Sequence, residues 1–346
     1  MRLHALDNRL QTLRRWIGRQ ATRFELAPDS LRPASNDASF RRYFRVDTGL
    51  DAGTLIVMDA PPEHEDCRPF VHAARVLAAA GVSVPEVLHA DLASGFLLLS
   101  DFGHTTYLSV LDTGDPDAAQ PLYRDAIAAL VRMQVHRGQR LLAPYDRGLL
   151  RRELDLYPDW YLARHKGVEL RPSERDTIEA AFELLLANNL AQPRVIVHRD
   201  YHSRNLMVLN GARNPGLLDF QDAVHGPITY DLVSLLRDAY LRWPEAQGID
   251  WAARYWEQAR AAGLPVEADF GRFYRDFEWM GLQRHLKVLG IFARLNYRDG
   301  KPAYLADLPR VLGWVLEVTE RYDALRPLRK LVDRIEALPA RAPGAG

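Results

Sequence analysis

The chain has 346 residues, 47% hydrophobic and 26% charged, a balance that excludes both an unfolded polar chain and a membrane-embedded one. Lys+Arg and Asp+Glu number 45 each, so no basic field exists to gather nucleic acid or anionic lipid. The single cysteine, Cys67, cannot form an internal disulfide. No apolar leader is visible, and no apolar run approaches the ~20 residues of a bilayer span, so a cytoplasmic protein without membrane partners is expected.

The first residues interleave arginine with apolar side chains and are read as a leading helix. From Ser39 to Asp47, Phe40, Arg42, Phe44 and Val46 alternate with Arg41, Tyr43 and Arg45, the period of a strand. A second strand is predicted over Thr54 to Asp59. The segment Pro69 to Ala80 is apolar at helical spacing and stops at Gly81, a helix-ending residue. Val84 to His89 and Phe96 to Ser100 complete a small sheet carrying one helix. From about Pro121 the pattern is mostly helical, interrupted by short apolar pieces at Arg194 to His198 and Asn205 to Phe220. Amphipathic helices resume at Thr229 to Tyr240 and continue to about Ala337. The tail 339–346, rich in Pro, Ala and Gly, is expected to be disordered.

Chemistry concentrates in one stretch. The apolar strand Val195-Ile196-Val197 delivers His198-Arg199-Asp200, Asn205 follows five residues after the aspartate, and a second apolar piece ends in Asp219-Phe220. Phosphoryl transfer needs this combination: one carboxylate orients the attacking hydroxyl, while an amide oxygen and a second carboxylate hold Mg²⁺ on the phosphates. Asp200 fits the first role; Asn205 and Asp219 fit the second.

The runs His198-Arg199-Asp200-Tyr201-His202-Ser203-Arg204-Asn205 and Leu218-Asp219-Phe220-Gln221 resemble the catalytic and metal-binding loops of aminoglycoside and choline kinases. The resemblance implies an α+β, protein-kinase-like two-lobed fold, with a small N-terminal antiparallel sheet carrying one helix and a larger, mostly helical C-terminal lobe. It implies a nucleotide-binding lobe over 1–102, a catalytic and substrate-binding lobe over 103–338, and ATP and Mg²⁺ as cofactors. Gly226-Pro227-Ile228-Thr229-Tyr230-Asp231-Leu232 looks like a further element of these kinases, with Asp231 and His198 implied to brace the catalytic loop. His202, where a protein kinase usually carries lysine, points to the small-molecule branch. The few residues between Gln221 and Ile228 leave no room for a protein kinase's activation segment. Ser35, Asn36, Asp37 and Ser39 fall where the resemblance places a phosphate loop, and Ser100 and Phe102 where it places adenine contacts. Asp101-Phe102-Gly103 imitates a metal-binding motif but precedes the catalytic loop, so the metal is assigned to Asp219.

One departure concerns the strand Thr54 to Asp59, which lacks the lysine that grips the phosphates in this fold. Either Arg41, Arg42 or Arg45 substitutes, with Arg42 foremost, or the protein is a nucleotide-binding pseudokinase. In the last third, positions 284, 287, 291, 294 and 298 step by three and four along a predicted helix, so Arg284, Lys287, Arg294 and Arg298 share a face suited to an anion. From residue 228 onward 18 Lys+Arg stand against 16 Asp+Glu, which favours a neutral or anionic substrate over a polycation. The runs Asp37 to Arg45, Met58 to Pro62, Gln283 to Gly290 and Tyr297 to Gly300 resemble bacterial anomeric kinases of N-acetylmuramate and N-acetylglucosamine. That resemblance implies a small amino-sugar substrate, with His202, Trp243, Glu278, Arg284 and Arg294 as candidate contacts. A kinase of another alcohol, aminoglycoside or choline-like, stays open at this point.

Overall fold

The computed structural model describes residues 2–35 and 40–338. In chain order its elements begin α1 (Arg2–Phe24), β1 (Leu26–Ser35), β2 (Arg42–Thr48), β3 (Thr54–Asp59), α2 (Arg68–Ala79), β4 (Val87–Asp91) and β5 (Phe96–Ser100). There follow α3 (Tyr107–Leu111), α4 (Pro116–Val135), α5 (Arg147–Leu154), a π-helical turn over Tyr157–His165, α6 (Pro172–Ala191) and β6 (Arg194–Val197). The chain continues through β7 (Leu206–Met207), β8 (Gly216–Leu217) and β9 (Val224–Pro227). It finishes with α7 (Tyr230–Leu236), α8 (Glu245–Ala261), α9 (Phe270–Tyr297), α10 (Leu308–Arg321) and α11 (Arg326–Glu336). An antiparallel N-terminal sheet and a helical C-terminal part are therefore present, as expected. The chain forms two compact units, one of the residues up to Thr105 with Met207–Asp222, the other of Thr106–Leu206 and the chain from Ala223 onward.

In the first unit the sheet runs in the order β1-β2-β3-β5-β4 with antiparallel neighbours. Helix α1 lays Leu13, Trp16 and Ile17 against Val46, Leu55, Val57, Phe96 and Leu98. Each such side chain, moved from water to this core, contributes ~1.5–3 kcal/mol. The sheet has one strand more than the sequence pattern predicts. Strand β1 carries Pro28 and Pro33 and shows no alternation, so periodicity misses it; it lies at the sheet edge, where a missing N–H costs no ladder bond, and its pairing with β2 is interrupted. The β7–β8 pair is fastened in this unit by Leu217, whose N–H donates to the Ser83 carbonyl at 2.7 Å. Gly216 is required there, because a Cβ would stand 2.5 Å from the Phe102 ring.

The second unit is built around α9, whose Phe277, Met280, Leu282, Leu286 and Leu289 are buried. The helix starts at Asp269, whose side chain accepts from the Arg272 N–H, an N-cap that satisfies an otherwise orphaned donor. At Gly290 the helix passes the Leu156 backbone so closely that a Cβ would sit 2.3 Å from its carbonyl oxygen. That crossing fixes the depth at which α9 places its polar residues. Strands β6 and β9 pair antiparallel, Val197 opposite Val224. Among the described residues no helix is long and apolar enough to cross a membrane.

Candidate active site

In the second unit, β6 buries Val195, Ile196 and Val197 and then turns sharply, with Arg199 in the left-handed region at φ 78°. A branched or long side chain pays strain there, so something must hold the turn. Asp231, at the start of α7, does so: its carboxylate accepts the backbone N–H of His198 at 2.6 Å and of Arg199 at 3.0 Å. Burial nevertheless pushes the Asp231 carboxyl up to about 7, against the pull of those two donors. Beyond the turn the loop folds onto itself. The Asp200 carbonyl accepts from the His202 N–H at 3.0 Å and from Asn205 Nδ2 at 3.1 Å, and the Ser203 N–H donates to the Asp238 carboxylate at 2.9 Å. The Asn205 amide thus uses an Nδ2 hydrogen to tie the loop to itself.

Asp200 keeps 35% of its side chain exposed, while Arg284, 3.8 Å away, is only 4% exposed. Behind them lies a buried charge network. Lys287 donates to the Tyr230 hydroxyl at 3.0 Å and pairs with Glu153 at 3.1 Å, and Glu153 also binds Arg199 and Tyr145. Burial pushes the Asp200 carboxyl up, but Lys287 and Arg284, with His202 and Arg199, outweigh it and hold the group well below the usual carboxylate range. Asp200 is therefore ionised across neutral pH and able to accept a hydrogen bond from an alcohol. Nothing in the sequence marks Glu153, which α5 brings in from a segment distant in sequence.

In the first unit Asp219, two residues beyond β8, itself stands on left-handed backbone at φ 61°. Gln221 Nε2 donates to its Oδ1 at 2.7 Å, and the neighbouring Phe220 ring packs 4.7 Å from Phe70. Arg41 forms a half-buried ion pair with Glu65 at 2.9 Å. Burial works against the Arg41 charge, but Tyr43, Glu65, Asp219 and Asp222 overcome it and raise its pKa. Arg42 points elsewhere: its guanidinium is on the fully buried Asp59, which Arg9 of α1 also binds. Arg42, expected to replace the missing lysine, is thus committed to Asp59, and strand alternation separates it from Arg41. Arg45 is held by Asp101, which also accepts from Thr54 Oγ1 and the Gly103 N–H, both at 2.8 Å. The Asp-Phe-Gly imitation at 101–103 thus ties β5 to β2 and β3. Ser100 is tied to Glu86 through backbone and hydroxyl, and Phe102 covers Gly216. Ser35 ends β1 opposite Tyr43, whereas Asn36, Asp37 and Ser39 lie outside the described residues, as does the tail 339–346.

The candidate sugar contacts divide. His202 is buried in the catalytic loop with its ring edge-on to Tyr240 at 5.5 Å. Trp243 is turned inward, its Nε1 donating to the Tyr123 hydroxyl at 2.8 Å and its ring packed on Trp251. Glu278 is 1% exposed and saturated by Arg237, Arg321 and the Tyr322 hydroxyl. Both residues, expected as sugar contacts, have their polar groups engaged within the helical core. The cationic stripe splits too. Arg284 and Lys287 are buried beside Asp200, Arg298 is tied to its neighbour Asp299 at 2.7 Å, and Arg294 is half buried.

Comparison with known proteins agrees with this geometry. The phosphotransferase enzyme family matches residues 30–271. The chain belongs to that family. Among its relatives, an N-acetylmuramate/N-acetylglucosamine kinase of Pseudomonas putida is 46% identical, covering 96% of this chain and 98% of that one. A protein of the same description from Pseudomonas aeruginosa is 51% identical over 89% of each chain. Solved structures share the fold at low identity. The ADP-bound aminoglycoside phosphotransferase APH(2'')-Ib has a TM-score of 0.58 and 15% identity, covering 87% of this chain and 97% of its own. A choline/ethanolamine kinase family protein from Mesorhizobium loti has a TM-score of 0.55 and 18% identity, covering 87% and 92%. The protein is accordingly a phosphotransferase with a kinase-like fold.

Proposed function

We propose that this phosphotransferase moves the γ-phosphoryl group of ATP to the anomeric hydroxyl of N-acetylmuramate and N-acetylglucosamine, as a cytoplasmic step in the recycling of cell-wall sugars. The observation that carries the reading is the identity of 46% and 51% over nearly whole chains to kinases of those two sugars, with Asp200 held ionised and open to an acceptor. Asp200 accepts the hydrogen bond of the hydroxyl, aims its oxygen at the γ-phosphorus, and receives the proton as the new P–O bond forms and the bond to the β–γ bridging oxygen breaks. A carboxylate held this strongly ionised acts chiefly by orientation, taking the proton late.

Among the described residues no three His, Cys, Asp or Glu side chains gather as a metal cluster, so a divalent cation here would take part of its shell from phosphate oxygens. Asn205 Oδ1 and the Asp219 carboxylate are the hard oxygen donors suited to Mg²⁺, which when bound would neutralise charge on the β- and γ-phosphates. Arg41, beside Asp219 and Asp222, is the cation we assign to the role of the missing lysine, with Glu65 as its partner. Ser100 and Phe102 remain the proposed adenine contacts, and the 36–39 segment the proposed phosphate loop.

Coupled ADP-release assays with N-acetylmuramate, N-acetylglucosamine, a kanamycin-type aminoglycoside and choline test the reading. The two sugars should give the highest kcat/KM, and the product should show phosphorus coupled to the anomeric proton in NMR. A 6-phosphate product, or a higher kcat/KM for the aminoglycoside or choline, would overturn the sugar assignment. Absence of turnover on every alcohol would leave the pseudokinase.

A further inference from the structure

Resting on the amino-sugar reading, we propose that Arg204, laid between Tyr240 and Tyr304, receives the acidic side arm of N-acetylmuramate. Arg204 stands four residues after Asp200, inside the loop whose backbone is fixed by His202, Ser203 and Asn205. Its guanidinium carbon lies 4.9 Å from the centroid of the Tyr240 ring and 5.8 Å from that of Tyr304. Both tyrosines also hydrogen-bond the Arg204 side chain and so hold the guanidinium in place, a planar group whose remaining N–H donors can pair with a carboxylate.

The surroundings point to an anion from outside the protein. Arg204 is exposed, and among the described residues it makes no ion pair, whereas Arg199, Arg237, Arg284 and Arg298 all face carboxylates. Tyr240 links it to the reaction centre, since the same ring meets His202, the residue between Asp200 and Arg204 along the loop. His202 feels the charges of both Asp200 and Arg204. Phe292 contacts Tyr240 at 6.2 Å and Tyr304 at 5.2 Å between centroids, closing an aromatic group beside the cation that suits the apolar face of a sugar ring. A polycationic acceptor would be repelled at this position. The α9 stripe offers less: Arg284 is committed beside Asp200 and Arg298 to Asp299.

The test compares kcat/KM for N-acetylmuramate, its neutral lactyl amide and N-acetylglucosamine in the wild type, Arg204→Gln, Arg204→Lys and Arg294→Gln. Arg204→Gln should lower the ratio of N-acetylmuramate to N-acetylglucosamine by about ten- to a hundredfold, the range of a charge-assisted pair. Arg204→Lys should fall between, and the lactyl amide should gain no advantage from the arginine. An unchanged ratio in Arg204→Gln, equal losses on both sugars, or the loss appearing in Arg294→Gln instead, would overturn the Arg204 assignment while the sugar reading stands. A wild type that turns over neither sugar would overturn both.

Discussion

Two acidic residues sit at left-handed turns in the two units, yet they are held by different means. Asp200 follows Arg199 at the end of β6, and its surroundings come from far away in sequence: Asp231 from α7, Glu153 from α5, and Arg284 and Lys287 from α9. Asp219 follows β8 and has one short-range partner, Gln221 two residues on, while the Arg41–Glu65 pair whose charges it feels comes, like the partners of Asp200, from far away in sequence. The difference suits their proposed tasks. A residue that must present one ionised oxygen to a small alcohol gains from a stiff, buried scaffold, whereas a residue that shares a cation with a mobile nucleotide needs a short, locally adjustable mount.

The sharpest way to break that contrast is to exchange charge for amide at each acid. Asp200→Asn should lower kcat by roughly 10²–10⁴-fold while nucleotide affinity is nearly retained. Asp219→Asn should do the reverse, raising the Kd for MgATP by about ten- to a hundredfold, with Asn205→Ala milder. Calorimetric titration of MgATP beside sugar-dependent ADP release separates them, and identical patterns for both variants would erase the distinction.

A second comparison sharpens the sheet side. Arg41→Ala should raise the KM for ATP about tenfold, the value of one lost charge-assisted contact. Arg42→Ala should change that KM less than about twofold and instead lower stability by about 1 kcal/mol, because buried Asp59 keeps only Arg9. Thermal melts and ATP kinetics on the pair decide it; a KM effect confined to Arg42→Ala would restore the strand-face reading.

The smallest effect concerns pH. Asp200 has its folded pKa depressed, so the charge it needs is present above the ordinary carboxylate value and is lost only as pH falls through the lower folded value. Wild-type kcat/KM should therefore stay level, as far as this group is concerned, down to about pH 5. Arg284→Gln removes one stabilising cation and should raise the acid limb toward ~4, with a loss of a few-fold at neutral pH. An acid limb that does not move would show that Arg284 contributes packing alone.

The sequence alone singled out Asp200, Asn205 and Asp219 as candidates, because their spacing after apolar strands is local and a turn between short strands leaves little freedom. It also located β3, β5 and α2 within a residue or so, from alternation and helical period. Strand β1 escaped, since an edge strand with two prolines has no pattern of its own, and its place is decided by β2 beside it. The partners of the charges escaped for the same kind of reason. Helical spacing puts Arg284, Lys287, Arg294 and Arg298 on one side of α9, but whether that side meets water or a buried glutamate depends on how deep α9 lies, set by the Gly290 crossing and by α5. Likewise the pattern offered three arginines at 41, 42 and 45, and only the sheet and α1 decided that Arg42 turns to Asp59 while Arg41 faces Asp219. Chain order fixes which residues can react; the burial and opposite charges that tertiary packing brings to each one determine what it is free to bind.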